Sequence, residues 1–197
     1  MLNRRHEKII YENDRGHSVT IRYALPYWLN QVIGLDGSNA MISSSRSVNQ
    51  DGVTINNVSL PERQIQILGE IKGASKDDLS LYRSQLLQAF NPKVMGTLYY
   101  EYGYTKRKIR AQVGAAPSFA KSQGVYNVLS FIVDLVAPNP YLQDIEESKT
   151  DISTETGNFS FPLEIPVEGL ELSIRTISYI TNIYNQGDVD TPIKVKL

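Results

Sequence analysis

The chain has 197 residues, enough for one domain or for one domain and part of a second, and long enough to bury a sizeable core without staples. It has no cysteine, which excludes disulfides, thiol nucleophiles and Cys-based zinc or iron–sulfur sites and suits a protein made in a reducing cytoplasm. Hydrophobic residues at 41% and charged residues at 21% are the balance of a soluble globule, and a formal charge of -1 supplies no global attraction to nucleic acid.

The N-terminal stretch 1–16 is basic in places but has no apolar segment of leader length after it, so it does not read as a secretory signal. No run reaches the roughly 18 apolar residues that cross a bilayer, so no membrane partner is expected. Residues 18–23 alternate Val19, Ile21 and Tyr23 against Thr20 and Arg22, the period of two that half-buries a strand. Between that strand and the next lies a Ser-, Asn- and Gly-rich stretch, 34–57, with the turn dipeptides Asp36-Gly37 and Asp51-Gly52. It reads as loop and short hairpins at a surface, and also as a candidate contact surface. Residues 63–71 alternate again, with Ile65 and Ile67 on one side.

The spacing of Leu79, Tyr82, Leu86 and Phe90 predicts a helix over 76–90 whose apolar face covers a sheet. Ser75 and Asp78 fit a capping box, Asp77 and Asp78 suit the positive end of the helix dipole, and Asn91-Pro92 stops the helix. Residues 94–104 and 106–113 predict two strands joined near Gly103, and 125–136 a third that completes an antiparallel meander. Both faces of the third are largely apolar, which predicts a central strand or one covered by the helix. At Asn139-Pro140 the character changes to a charged, Thr-rich stretch, 146–158, a boundary or long excursion and a second candidate contact surface. Extended patterns return at 161–166 and 170–183, a turn is expected at 184–188, and 193–197 ends in a strand pattern, as though a second domain had just begun.

Catalytic signatures are absent. The two histidines, His6 and His17, have no metal-ligand spacing and read as solvated side chains. Asp77-Asp78 and Asp188-Val189-Asp190 fit a helix start and a turn better than a paired-carboxylate site. No phosphate-cradling loop or nucleophile elbow is present, and no cofactor is expected. The run Lys106, Arg107, Lys108 and Arg110 after Tyr99, Tyr100, Tyr102 and Tyr104 admits single-stranded nucleic acid, a protein interface or a carbohydrate platform. The plainer reading is a solvated strand face with Lys108 and Arg110 outward and Ile109 and Ala111 inward.

Several short elements occur in a telling order: Tyr11-Glu12-Asn13 with VTIRY, Asp36-Gly37, the helix LYRSQLLQAFNPK ending at Asn91 and Pro92, and Gly96-Thr97-Leu98-Tyr99. Then come a strand ending in Asn139, Pro140 and Tyr141, and Asn185-Gln186-Gly187-Asp188 followed by Thr191-Pro192. In this order the sequence resembles the distal tail protein family of long-tailed bacteriophages. The resemblance implies a mainly β fold with one main α-helix: an antiparallel, split or closed β-barrel-like domain over 1–138, packed by the helix and forming a ring. Residues 139–197 would be an extended segment and the start of a C-terminal β-sandwich. It further implies six copies in a ring coaxial with the tail tube, joining tube protein to the tip or baseplate protein, with a lumen that passes DNA without reading sequence. The location implied is the virion tail, after assembly in the bacterial host cytoplasm. Asn91, Pro92, Gly96, Asn139, Pro140, Tyr141, Asn185, Gly187, Asp188 and Pro192 are the residues that carry it. The alternatives are a carbohydrate- or receptor-binding module and a tail-tip hydrolase, for which no carboxylate pair can be named.

Overall fold

The period-two pattern runs through most of the larger unit and closes on itself. The structure is a computed structural model that describes residues 7–121, 127–145, 153–157 and 173–177. It divides into two compact units, Met1–Ile145 and Glu146–Leu197. The first holds β1 (Glu7–Asn13), β2 (Ser18–Arg22), β3 (Tyr27–Ile33), β4 (Met41–Ser45), β5 (Thr54–Ser59) and β6 (Arg63–Lys72). After these come the helix α1 (Lys76–Ala89), then β7 (Met95–Tyr102), β8 (Thr105–Val113), β9 (Ser118–Lys121), β10 (Val128–Ala137) and β11 (Gln143–Asp144). In the second unit β12 (Ser153–Gly157) pairs antiparallel with β13 (Ser173–Ile177).

Nine strands form one sheet in the order β11-β8-β7-β1-β2-β3-β6-β10-β9. β10 returns to β8 through Leu135↔Val113 and Val136↔Gln112, closing a 7-stranded barrel. Away from that contact the two strands part, and β9 lines β10 while β11 lines β8. The expected meander is therefore corrected: β7 and β8 are a hairpin, but β10 pairs along its whole length with β6, from Val128↔Lys72 to Ala137↔Arg63. Closure of a barrel brings together strands distant in sequence, which a meander does not do. The outer face of β10 is also not covered, since Ile132 and Asp134 are exposed. A second seam lies between β2 and β3, which run parallel and are paired in the sheet only at Arg22↔Trp28. α1 packs beside β1, β2 and β6.

Two strands were hidden in the sequence for physical reasons. β3 carries a bulge between Leu29 and Gln31, so Tyr27 and Leu29 point inward while the alternation is lost afterwards. β1 sits in a polar N-terminal context, yet Ile9, Tyr11 and Asn13 are all buried.

The helix matches its expected start and stop. Ser75 Oγ accepts the Asp78 N–H at 3.1 Å, and Asp78 Oδ2 accepts the Ser75 N–H at 3.0 Å. Leu86, Ala89 and Phe90 are fully buried at its far end, with Leu79 and Tyr82 partly buried behind them. The C-terminal carbonyls, which lack partners within a helix, are met from the barrel: Asn13 Nδ2 donates to the Gln88 carbonyl at 3.0 Å and the Ala89 carbonyl at 2.9 Å. Asn13 Oδ1 accepts the N–H groups of Arg15 at 3.0 Å and His17 at 3.1 Å, so one buried amide uses both donors and both lone pairs.

Packing at that helix end requires a glycine. The Tyr11 ring stacks on Phe90, centroids 4.5 Å apart and planes 16° from parallel, and its hydroxyl reaches the Ala111 carbonyl at 3.4 Å. Its other side lies over Gly96, where a Cβ would stand 2.6 Å from the ring's ζ carbon and 2.7 Å from the hydroxyl oxygen. Across the barrel, Phe131 lies over Gly69 in the same way, a Cβ there meeting its ζ carbon at 2.5 Å. Both glycines give floor space to a large ring that fills the interior.

Gly96→Ala should destabilise the protein by about 1–3 kcal/mol, the usual effect of overpacking a filled core. A chemical denaturation midpoint equal to wild type would show that the Tyr11 ring is not confined. Alkaline pH gives a second test. Burial, with a smaller contribution from Asp14, pushes the Tyr11 hydroxyl up to about 12, and burial, with help from Tyr82, does the same for Tyr27. The unfolded chain ionises both near pH ~10, so their stabilisation is complete below that pH and is lost as pH rises toward about 12. Tyr27→Phe should flatten the decline in urea midpoint across that window, and an unchanged slope would refute the assignment.

Candidate assembly surface

After β3 the buried Leu35 ends the barrel's hold on the chain, and the largely exposed segment 36–60 leaves it and returns at β6. Its two strands, β4 and β5, form a separate two-stranded sheet with a register shift between Ser43 and Ser44. Every residue of both strands is exposed, including Met41, Ile42, Ile55 and Val58, and Val48 in the connecting loop is 94% exposed. Asn49 and Gly52 take positive φ in that loop, and Gln50 ties it by accepting from Ser47 N–H at 3.1 Å and donating to Thr54 Oγ1 at 3.0 Å. An isolated hairpin is marginal in water, and this one presents two unpaired edges and an apolar surface. Polar alternation is missing because neither face belongs to the core.

Arg63, the first residue of β6, anchors its root. Nε donates to the Pro140 carbonyl at 2.7 Å, Nη1 to the Gly34 carbonyl at 2.8 Å, and Nη2 to Ser38 Oγ. Burial lowers the guanidinium pKa from its ordinary value, and these oxygens replace the water it loses. One side chain thus ties the hairpin's base, the start of β6 and the exit of β10. Nothing in the sequence singles it out; an arginine opening an alternating strand is the weak signal that was there.

Asn91 and Asn139 do the same job at two exits. Asn91 Oδ1 accepts the Lys93 N–H at 2.9 Å, and Asn139 Oδ1 accepts the Tyr141 N–H at 3.1 Å, each turning the chain around the proline that follows. The Pro92 carbonyl accepts from Gln112 Nε2, and the Pro140 carbonyl accepts from Arg63. Pro140 is buried and Tyr141 is 43% exposed. Gly96 lies under Tyr11 as described. Asn91, Pro92 and Gly96 therefore cluster near the helix end, while Asn139, Pro140 and Tyr141 stand at the hairpin root. Asn185, Gly187, Asp188 and Pro192 lie outside the described residues, as do His6, the extended patterns 161–166 and 193–197, and residues 146–152.

The basic run does not make an open positive strip. Arg110 holds Asp14 through two bonds of 2.7 and 2.9 Å, a hydrogen-bonded pairing that raises its pKa, and Arg107 meets Asp144 at 2.8 Å. Ile109 and Ala111 point inward as expected, and Arg110 outward, with Lys108 partly buried. Of the tyrosines, Tyr99 and Tyr100 are half-buried, Tyr100 donating to Glu7 at 3.2 Å, and Tyr102 and Tyr104 are exposed at the turn. Among the described residues no cluster of His, Asp or Glu is arranged to hold a metal ion.

A groove of about 690 Å³ lies at the β2–β3 seam, bordered by β2, the 25–27 corner and the helix residues Gln85 and Gln88. Lys8, His17 and Arg22 line it, and no carboxylate does.

Two solved structures share the fold. The Dit protein of phage SPP1, described as a paradigm of the hub adsorption apparatus in phages that infect Gram-positive bacteria, is 12% identical over 79% of this chain and 58% of its own, with a TM-score of 0.53. A chain of the phage P2 baseplate in its activated, calcium-containing conformation is 14% identical over 93% of this chain and 61% of its own, with a TM-score of 0.51. The chain thus spans 58% and 61% of the length of these two relatives. No curated protein matches it. Residues 15–137, more than half of the 197, match the family model of the phage tail protein RIFT-related domain, from the β1–β2 turn to the end of β10. With that match across barrel and helix, the chain belongs to the phage tail protein family that carries this domain.

Proposed function

We propose that the protein is a structural component of a phage tail-tip or baseplate hub. In this reading six copies form a ring that joins the tail tube to the tip protein and lets DNA pass. The observation that carries it is the β4–β5 hairpin, an exposed, uncharged ribbon that presents Met41, Ile42, Ile55 and Val58 to solvent and has two open edges among the described residues, rooted by Arg63 on a well-packed barrel. A surface of that kind on a stable scaffold serves contact with other subunits. Repeated head to tail by a closing rotation, such a contact generates a ring. The fold shared with the SPP1 and P2 proteins supports the same role, as does membership of a phage tail family. The reading needs no catalysis: the ring works by buried contact area, and its lumen must not hold DNA tightly. A formal charge of -1 and the pairing of Arg107 and Arg110 with carboxylates agree with that requirement. Residues 139–197 would begin a second, outward domain.

Light scattering behind size exclusion, with negative-stain images of the main peak, tests the proposal. Six-fold rings with a central hole are expected; a monomer at every concentration would overturn it. Ile42→Asp with Ile55→Asp should abolish the ring while leaving the unfolding midpoint within about 0.5 kcal/mol of wild type, because both side chains are solvent-exposed in the monomer. Retained rings would exclude the hairpin from the contact.

A further inference from the structure

The seam between β2 and β3 leaves a strand edge open. β2 pairs with β1 along its whole length, from Glu12↔Ser18 to Lys8↔Arg22, but its other edge meets β3 only at Arg22↔Trp28. Among the described residues the backbone of 18–21 therefore has no strand beside its other edge, which is about 13 Å long at ~3.3 Å per residue, and Ser18, Val19 and Thr20 line the groove. Gln85 and Gln88 of the helix form the opposite wall, and Lys8, His17 and Arg22 give the groove its only ionisable side chains apart from Tyr27. Lys8 already meets Glu101 at 3.3 Å, while Arg22 is exposed and has no hydrogen-bond or ion-pair partner among the described residues.

The same chain carries a segment that fits. Residues 146–157 hold Glu146, Glu147, Asp151 and Glu155 against the single Lys149. Their last part, β12, is a five-residue strand that pairs on one edge with β13 and, among the described residues, with no strand on the other. Length, unpaired edge and charge are all complementary to the groove.

We infer that the β2 edge is a socket in which β12 from a neighbouring copy adds as a strand, with Arg22 taking a carboxylate of the acidic stretch. Main-chain hydrogen bonds would supply affinity and the basic rim would set which segment enters. The inference deepens the ring reading and rests on it for the neighbour, but the socket can be tested apart from ring formation.

The test is fluorescence anisotropy of a labelled peptide of residues 146–158 titrated with the full-length chain. Saturable binding with a Kd below about 1 mM is expected, weakened at least tenfold in Arg22→Glu. Two further peptides, N-methylated at 153, 155 and 157 or at 154 and 156, report strand addition. A strand offers alternate N–H groups to each side, so one should lose binding and the other keep it. Absence of saturation, or equal binding by the two methylated peptides, would overturn the inference. Scattering on the same samples keeps the readings apart: rings whose subunits do not bind the peptide reject the socket alone, and a monomer that binds it rejects the ring alone.

Discussion

The barrel is closed by few backbone contacts, and its interior must make up the difference. Two register pairs join β8 to β10 and a single one joins β2 to β3 in the sheet. A sheet with such seams is held by what fills it, and one tightly fitted part of that filling is at the C-terminal end of α1. There Phe90 stacks on Tyr11, Tyr11 lies on Gly96, and Asn13 caps the last helical carbonyls while shaping the β1–β2 turn. Each buried aromatic or aliphatic side chain contributes roughly 1.5–3 kcal/mol, and an unmet buried carbonyl forfeits about 1–3. A defect at this one junction would therefore touch helix, barrel wall and turn together.

That concentration leaves the periphery free for other work. The β4–β5 hairpin has no core of its own and adds little to the barrel's stability, so its sequence is free to be apolar at exposed positions. Arg63 makes this tolerable, because it fixes the hairpin's departure point without needing side chains from the ribbon itself. The two Asn-Pro turns act likewise, setting the direction in which the chain leaves the helix and leaves β10.

Much of this was legible in the sequence where local rules dominate. The helix start, its stop before Pro92, the β7–β8 hairpin and the inward Ile65 and Ile67 follow from capping chemistry and period two. The fold class came from the order of short elements rather than from any one of them. What stayed hidden is non-local. A bulge erased the alternation of β3, and β10 runs along β6 for its whole length while touching β8 at only two register pairs, where the barrel closes. Gly96 was singled out by resemblance, but its reason, a ring from a strand paired many residues away, is written in no local pattern. Arg63 and Asn13 are ordinary polar residues until the fold brings four backbone segments to them.

The open edges are the other side of the same economy. Among the described residues the barrel's strands are taken up by closure, and none covers β2 at the seam or the two flanks of the hairpin. In a solitary protein such edges invite uncontrolled pairing, and natural sequences blunt them with charge, shortness or a covering element. Here β2 is short, bordered by Lys8 and Arg22, and partly sheltered by α1, so charge, shortness and a covering element all guard it. The hairpin is as short and carries an irregularity between Ser43 and Ser44, but it lacks the charge: its strands carry no charged residue at all. In the proposed ring, an unguarded edge and a guarded one on the same subunit would divide the work, the first supplying contact area and the second restricting which segment follows.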